Sequence, residues 1–152
     1  YMTRNSDVFV ELHHRPKLAT RKNANLFVSI HANKARRTGA SGIETFIMPV
    51  AGFASTASSK PDNKRYPGNI NDSANTILAG MIHAELINKT GATDRGVKRA
   101  RFKVLKDATC PATMVEVGFL TNPDESKKLT TPAYRDKIAE NIASGILNYL
   151  SR

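Results

Sequence analysis

Two residues whose side chains could take part in a reaction, His31 and Glu116, lie in stretches that otherwise have the pattern of buried strands. His31 follows the largely apolar run 26–30, and Glu116 lies inside the run 114–119. A histidine at the end of a strand is more often a hydrogen-bonded structural residue than a metal ligand. Glu116 is the stronger signal, because a buried carboxylate without a cation, a metal or hydrogen-bond donors costs several kcal/mol. An imidazole and a carboxylate set into core strands together suggest metal-assisted hydrolysis.

The elements that must position these two residues follow from the hydrophobic pattern. We expect strands at 26–31, 43–48, 102–105 and 113–117. We expect helices from about His14, from Asp72 or Ser73 to Gly91, after Asn122, and from Pro132 to the C-terminus. This alternation is typical of an α/β fold, a single domain over residues 1–152 with a mainly parallel sheet flanked by helices. Such sheets bind ligands at the carboxyl ends of their strands, where His31 and Glu116 are expected.

Two features of the pattern predict surface structure. Residues 49–71 are rich in Gly, Ser, Pro, Asn and Lys without a period and predict a long loop. His83 and Glu85 fall beside the apolar stripe of the second helix, and we expect both at the surface.

The composition favours some classes of binding partner and excludes some kinds of site. The formal charge of +10 and the isoelectric point near 10 favour an anionic partner. A nucleic acid is disfavoured, because Trp is absent and the basic residues are scattered. Cys110 is the single cysteine, which excludes an internal disulfide and a cysteine-based zinc site. The apolar stretches are short, so no membrane-spanning segment is expected in these residues.

Five further segments form a pattern of fixed order and spacing: 3–7 (TRNSD), 15–25, 27–33 (FVSIHAN), 41–45 (SGIET) and 111–122 (PATMVEVGFLTN). Together they resemble the zinc-dependent N-acetylmuramoyl-L-alanine amidases of bacterial cell-wall remodelling. The resemblance runs almost end to end. It implies a single α/β domain, a secreted, periplasmic or wall-associated location, and hydrolysis of the amide between N-acetylmuramic acid and L-alanine in peptidoglycan, an anionic glycopeptide polymer.

The resemblance also implies roles for individual residues. The family holds Zn²⁺ with two His and one Glu, while a second Glu acts on the attacking water; His31 corresponds to the second histidine ligand and Glu116 to the catalytic carboxylate. Glu44 is expected near the site but not on the metal, and a paired structural carboxylate is an equal alternative. Asn33 and residues 34–37 follow His31 directly, so they are candidates for substrate contact or for a solvated loop.

The remaining ligands are expected ahead of Tyr1. In the family, a strand with a histidine-containing turn and a helix carrying the ligand Glu precede the position at which this sequence starts. We therefore expect roughly 30–45 further residues upstream, from the ordinary lengths of a strand, a loop and a helix, and we expect the absent strand to be an interior one. His13, His14 and His83 are not expected to replace the missing imidazole.

Three other functions stay open. The chain could be a catalytically inactive murein-binding domain, a zinc peptidase or deacetylase acting on another amide, or, on charge alone, a nucleic-acid-binding module. Residues 49–71 are polar and lack a helical pattern, so we expect a loop on the substrate side and not an autoinhibitory helix. A protein activator cannot be identified from these residues.

Overall fold

The computed structural model describes residues 1–56 and 58–152, and its centre is a four-stranded sheet. The strands are β1 (Phe27–Asn33), β2 (Ile43–Ile47), β3 (Asp94–Arg99) and β4 (Ala112–Phe119), in the order β1-β4-β2-β3. β1 and β4 are parallel, β2 and β3 are parallel, and β2 and β4 are antiparallel. The carboxyl ends of β1 and β4 therefore lie at the same edge of the sheet as the starts of β2 and β3.

Five helices cover the two faces of this sheet unequally. They are α1 (His14–Arg21), α2 (Asp72–Thr90), α3 (Lys103–Lys106), α4 (Pro123–Thr130) and α5 (Pro132–Leu150). One face, here called the α2–α5 face, is covered by these two long helices over an apolar core of Ile43, Leu78, Ile82, Leu86, Val115, Val117, Ile138 and Ile142. Each of these side chains contributes roughly 1.5–3 kcal/mol by leaving water. The two helices pack closely at Gly145, because a Cβ there would lie 2.5 Å from Ile82 Cα.

The opposite face, here called the α3 face, carries a smaller core. It consists of Phe27, Phe46, Ala100, Val104, Leu105, Ala108, Ala112 and Met114. The strand residues of this core lie toward the starts of β1 and β4. Nearer the carboxyl ends of β1 and β4, the α3 face carries the polar side chains of His31, Glu44 and Glu116.

The α/β class and most elements agree with the sequence analysis, but the third strand does not. The prediction of a strand at 102–105 is wrong: Phe102 precedes the short helix α3, and its carbonyl accepts hydrogen bonds from the amides of Leu105 and Lys106. A short apolar run does not by itself distinguish a strand from a helix. The third strand is β3, whose sequence DRGVKR is charged, as is common for a strand at the edge of a sheet.

The described contacts of the loop 49–71 lie away from the edge of the sheet that carries His31 and Glu116. Thr56 donates to Arg99 O, and Asn71 donates to Thr109 O, both at the edge opposite the carboxyl ends of β1 and β4. The prediction of a loop is confirmed for residues 49–56 and 58–71, apart from a short 3₁₀ turn at Pro67–Asn69, and residue 57 lies outside the described residues. The expectation that it lies on the side of His31 and Glu116 is wrong for the contacts that the structure describes.

Two further points concern the chain as a whole. The four described strands pair without a gap in the order β1-β4-β2-β3, and the strand expected ahead of Tyr1 stays a prediction. Among the described residues, none of the helices combines the length and the apolar character that crossing a lipid bilayer demands.

Candidate active site

His31, Glu116 and Glu44 form one row across three adjacent strands. His31 of β1 is directly opposite Glu116 of β4, and Glu116 is directly opposite Glu44 of β2. Directly opposed residues of neighbouring strands, which run about 4.8 Å apart, project from the same face. Here that face is the α3 face, because Phe46 and Met114 lie two positions from Glu44 and Glu116. The structure thus brings together the two residues that the sequence analysis expected at one edge of the sheet.

Glu116 is the uncompensated member of the row. Its Oε2 is buried and has no hydrogen-bond partner among the described residues. Burial, and then the negative charge of Glu44, raise the pKa of Glu116 to about 7. A carboxyl group with this pKa can both accept and donate a proton near neutral pH, which is the requirement for general acid–base catalysis.

His31 is half-buried and is held by its own strand. Its Nε2 lies 2.9 Å from Ser29 Oγ. Burial lowers the pKa of His31, and the positive charges of Arg15 and Arg4 lower it further. The imidazole is therefore neutral at neutral pH, which is the form that binds a metal ion.

Glu44, by contrast, is fully satisfied. Its side chain is 5% exposed and accepts hydrogen bonds from Asn33 Nδ2 at 2.7 Å, Arg95 Nε at 2.9 Å and Lys98 Nζ at 2.5 Å. Burial alone would raise the pKa of Glu44, but the hydrogen bonds from Lys98 and Arg95 outweigh it and lower the pKa. Of the two alternatives for Glu44, this geometry favours the paired structural carboxylate. Asn33 belongs to β1 and not to a loop, and its side-chain amide donates a hydrogen bond to Glu44.

The sequence analysis did not identify Arg95 and Lys98 as site residues. They lie 51 and 54 residues from Glu44 along the chain. A bulge brings both to one face: Ile43 pairs with Asp94 and Thr45 with Val97, so Glu44 alone faces the two residues Arg95 and Gly96. In a regular strand, residues 95 and 98 would point to opposite faces. Gly96 occupies the bulge at φ +78°, a conformation that favours glycine. The segment R-G-V-K was a usable signal, since a glycine within a strand pattern often marks a bulge.

Glu125 fixes the edge of the sheet next to the site. Its Oε1 accepts from Gly42 N and its Oε2 from Phe119 N, each at 2.7 Å. It thereby ties the start of β2 and the end of β4 to helix α4. Asn122 caps this helix by accepting from the amides of Asp124 and Glu125.

The described residues fit a zinc ion only in part. His31 offers a neutral imidazole, and the orphaned oxygen of Glu116 lies on the neighbouring strand. A protein zinc site needs three or four ligands, and among the described residues no group of three or more His, Cys, Asp or Glu is placed to hold a metal.

The other histidines lie elsewhere in the fold. His13 and His14 lie at the start of α1 with their ring centroids 4.1 Å apart. His83 lies on the α2–α5 face, where it contacts Thr45 Oγ1 at 3.0 Å and Asp94 Oδ1 at 2.8 Å. The prediction that His83 is a surface residue is wrong: it is 7% exposed, because it faces the sheet from α2.

This combination defines a class of protein: an α/β domain that places an imidazole and an unpaired carboxylate at neighbouring parallel strand ends, where such sheets bind ligands. The family model described as N-acetylmuramoyl-L-alanine amidase matches residues 1–148. The chain therefore belongs to the N-acetylmuramoyl-L-alanine amidase family, as the sequence analysis predicted.

Named relatives agree with this assignment. The chain is 33% identical to the amidase LytC of Bacillus subtilis, over 97% of this chain and 26% of LytC. Its fold matches the catalytic domain of the amidase CwlV of Bacillus (Paenibacillus) polymyxa with a TM-score of 0.80 and 32% identity, over 99% of this chain and 72% of that chain. It also matches CwlD of Clostridioides difficile, solved in complex with the GerS lipoprotein, with a TM-score of 0.73 and 32% identity, over 92% and 61% of the two chains. The chain spans less than two thirds of the length of the curated relatives that it matches.

Proposed function

We propose that this domain hydrolyses the amide bond between N-acetylmuramic acid and L-alanine in peptidoglycan. The observation that carries the proposal is the buried, unpaired Oε2 of Glu116 in register with His31. Family membership gives this pair its reaction, because the family is described by that activity.

Glu116 acts as the general base and then as the general acid. It accepts a proton from the attacking water and delivers it to the leaving amine of L-alanine. Its pKa of about 7 lets it exchange a proton in both directions near neutral pH. Burial, and then the positive charges of Arg15 and Arg4, lower the pKa of His31 and so favour its neutral form, in which one ring nitrogen carries no proton.

Zinc is part of the proposal. His31 would hold it together with ligands expected ahead of Tyr1. When bound, zinc supplies Lewis-acid polarisation of the scissile carbonyl and makes water nucleophilic near neutral pH.

The proposal also covers how the domain binds its substrate, where it acts and whether it has a protein partner. Peptidoglycan carries carboxylates, and the net charge of +10 favours adsorption of the domain to this insoluble polymer. Such a substrate places the domain outside the cytoplasm, as a secreted, periplasmic or wall-associated protein. The complex of CwlD with the GerS lipoprotein supports a protein partner for relatives of this domain.

Product analysis tests the proposal. The purified protein, including the residues proposed ahead of Tyr1, is incubated with peptidoglycan, with and without a chelator and zinc replacement, and the soluble products are analysed. We expect stem peptides with a free N-terminal alanine, loss of this activity with the chelator and its recovery with zinc. New reducing sugar ends, or cleavage between stem residues, would contradict the proposed bond specificity.

A catalytically inactive wall-binding domain is the second candidate. The partial ligand set among the described residues favours it. It predicts that the protein pellets with peptidoglycan and releases no stem peptide after zinc addition. Equal hydrolysis of simple peptides and muropeptides would instead indicate a zinc peptidase.

A further inference from the structure

We propose that Arg95 determines substrate specificity by binding a carboxylate of the stem peptide beside the scissile amide. The proposal rests on the function proposed above and deepens it, since it names a feature of the substrate. It is argued from the placement of Arg95, its rigidity and the charge balance around Glu44.

The placement follows from the bulge in β3. Because Glu44 faces both Arg95 and Gly96, Arg95 lies on the α3 face, on the strand β3 that β2 separates from β4 and Glu116. Phe119, on the end of β4, lies beneath it: the Arg95 guanidinium carbon is 4.9 Å from the centre of that ring. Arg95 is therefore at the carboxyl edge of β4, next to the row that carries the chemistry.

Arg95 is held in one orientation but stays open to solvent. Its Nε donates to Glu44, its Nη1 is 3.4 Å from Ser41 O, and the aromatic ring supports one face of the guanidinium. The side chain is nevertheless 34% exposed, and its Nη2 donates no hydrogen bond to the described residues. A guanidinium fixed in this way has already lost rotamer freedom, so binding a carboxylate costs it little further entropy.

The charge balance leaves a positive charge for a ligand. Glu44 is a single carboxylate, and both Arg95 and Lys98 donate to its Oε2. One of the two cations is thus uncompensated within this cluster. An arginine is the better candidate of the two for a carboxylate, because its planar fork offers two parallel donors.

Two muropeptides that differ in one group test this proposal. Each is an N-acetylmuramoyl-L-alanyl peptide whose next residue carries either a free carboxylate or the matching carboxamide. We expect the wild-type protein to bind the carboxylate form about tenfold or more tightly, since a charge-assisted bidentate contact is typically worth at least that. Binding is measured in the Glu116→Gln background, where turnover does not interfere, and KM and kcat are measured in the wild type.

Arg95→Gln should remove the preference. We expect the affinity for the carboxylate peptide to fall about tenfold, the affinity for the carboxamide peptide to stay within twofold, and Arg95→Lys to restore the preference in part. Arg99→Gln is the matched control, because Arg99 belongs to the same strand but donates to Met48 O near the opposite edge. It should leave the preference intact.

Several results would overturn the proposal. Equal wild-type affinities for the two peptides, or no binding of either, would do so without any variant and therefore do not depend on how Arg95→Gln folds. An equal loss for both peptides in Arg95→Gln would show that Arg95 only supports the fold. Failure of the proposed function is distinguishable, since it appears as absent hydrolysis by the wild type even when the carboxylate preference is present.

Discussion

Each face of the sheet carries a histidine near a carboxylate, but the hydrogen bonds of these groups are complete on one face and incomplete on the other. On the α2–α5 face, His83 bridges Thr45 and Asp94, so both of its ring nitrogens have partners. On the α3 face, the His31 ring has a hydrogen-bond partner at Nε2 alone, the Ser29 hydroxyl, among the described residues, and Glu116 Oε2 has none among them. Buried polar groups with complete hydrogen bonds support a fold, whereas incomplete ones at a strand end are candidates for chemistry. The difference is one of partners and not of residue type.

The largest effect is expected from removing the unpaired carboxylate. Glu116→Gln keeps the size of the side chain but cannot accept the proton, so turnover should fall by about 10²- to 10⁴-fold. Stem-peptide release from peptidoglycan measures it. Glu85→Gln is the control, because Glu85 lies on α2 and accepts from Asn148 Nδ2; its turnover should stay within twofold. Wild-type turnover in Glu116→Gln would remove Glu116 from the mechanism.

On the other face, the expected effect is on stability and not on turnover. His83→Ala leaves the Thr45 hydroxyl, on a fully buried residue, without its partner and opens a cavity under α2. We expect a loss of about 2–4 kcal/mol in the free energy of unfolding, measured by urea denaturation, with turnover per folded molecule unchanged. His14→Ala, at an exposed position, should cost little. A His83→Ala loss as small as that of His14→Ala would contradict the structural role.

The pH dependence of stability sharpens the same comparison. In the metal-free protein, the pKa of Glu116 is raised from an ordinary 4.5 to about 7, so the unfolded chain releases this proton at lower pH than the folded protein does. Stability is therefore lost as the pH rises from 4.5 to 7, by an amount on the order of 3 kcal/mol, since one pKa unit corresponds to about 1.4 kcal/mol. Thermal melts should show Glu116→Gln gaining stability over the wild type at pH 8 and not at pH 4. The same difference at both pH values would argue against a raised pKa.

A smaller effect is expected at the bulge that positions Arg95. Gly96 has φ +78° and open space around a would-be Cβ, so Gly96→Ala introduces backbone strain without a clash, costing about 1–2 kcal/mol. Gly80→Ala, in α2 and also free of close neighbours, should instead stabilise the protein by about 0.5–1 kcal/mol. Opposite signs in denaturation midpoints support the bulge. Two stabilising substitutions would show that residue 96 does not require a positive φ.

The strands and helices around the site were easier to predict from the sequence than the charges and hydrogen bonds within it. The strands carrying His31 and Glu116 were recognisable from their apolar flanks, and the two long helices from Gly91 at the end of α2 and Pro132 at the start of α5. β3 was missed because an edge strand has one unpaired side and tolerates charges, so it lacks the apolar signal. His83 was misplaced because it lies at the margin of the α2 stripe, where a one-position rotation of the helix decides between sheet and solvent.

The opposite states of the two carboxylates could not be read from the sequence. Both Glu44 and Glu116 lie in strands, and each looks like a buried acid. What separates them is the pair of cations that the β3 bulge delivers to Glu44 from a part of the chain more than 50 residues away. Contacts of this range depend on strand order and register, which a local pattern does not determine.

The central claim is that two neighbouring carboxyl groups on the α3 face differ in protonation because only one has partners. An NMR titration of ¹³C-labelled side-chain carboxyl carbons in the metal-free protein tests it directly, with Glu116→Gln and Glu44→Gln assigning the signals. The account predicts a midpoint of about 7 for Glu116 and a midpoint below 4.5 for Glu44. A midpoint for Glu116 near 4.5 would contradict it.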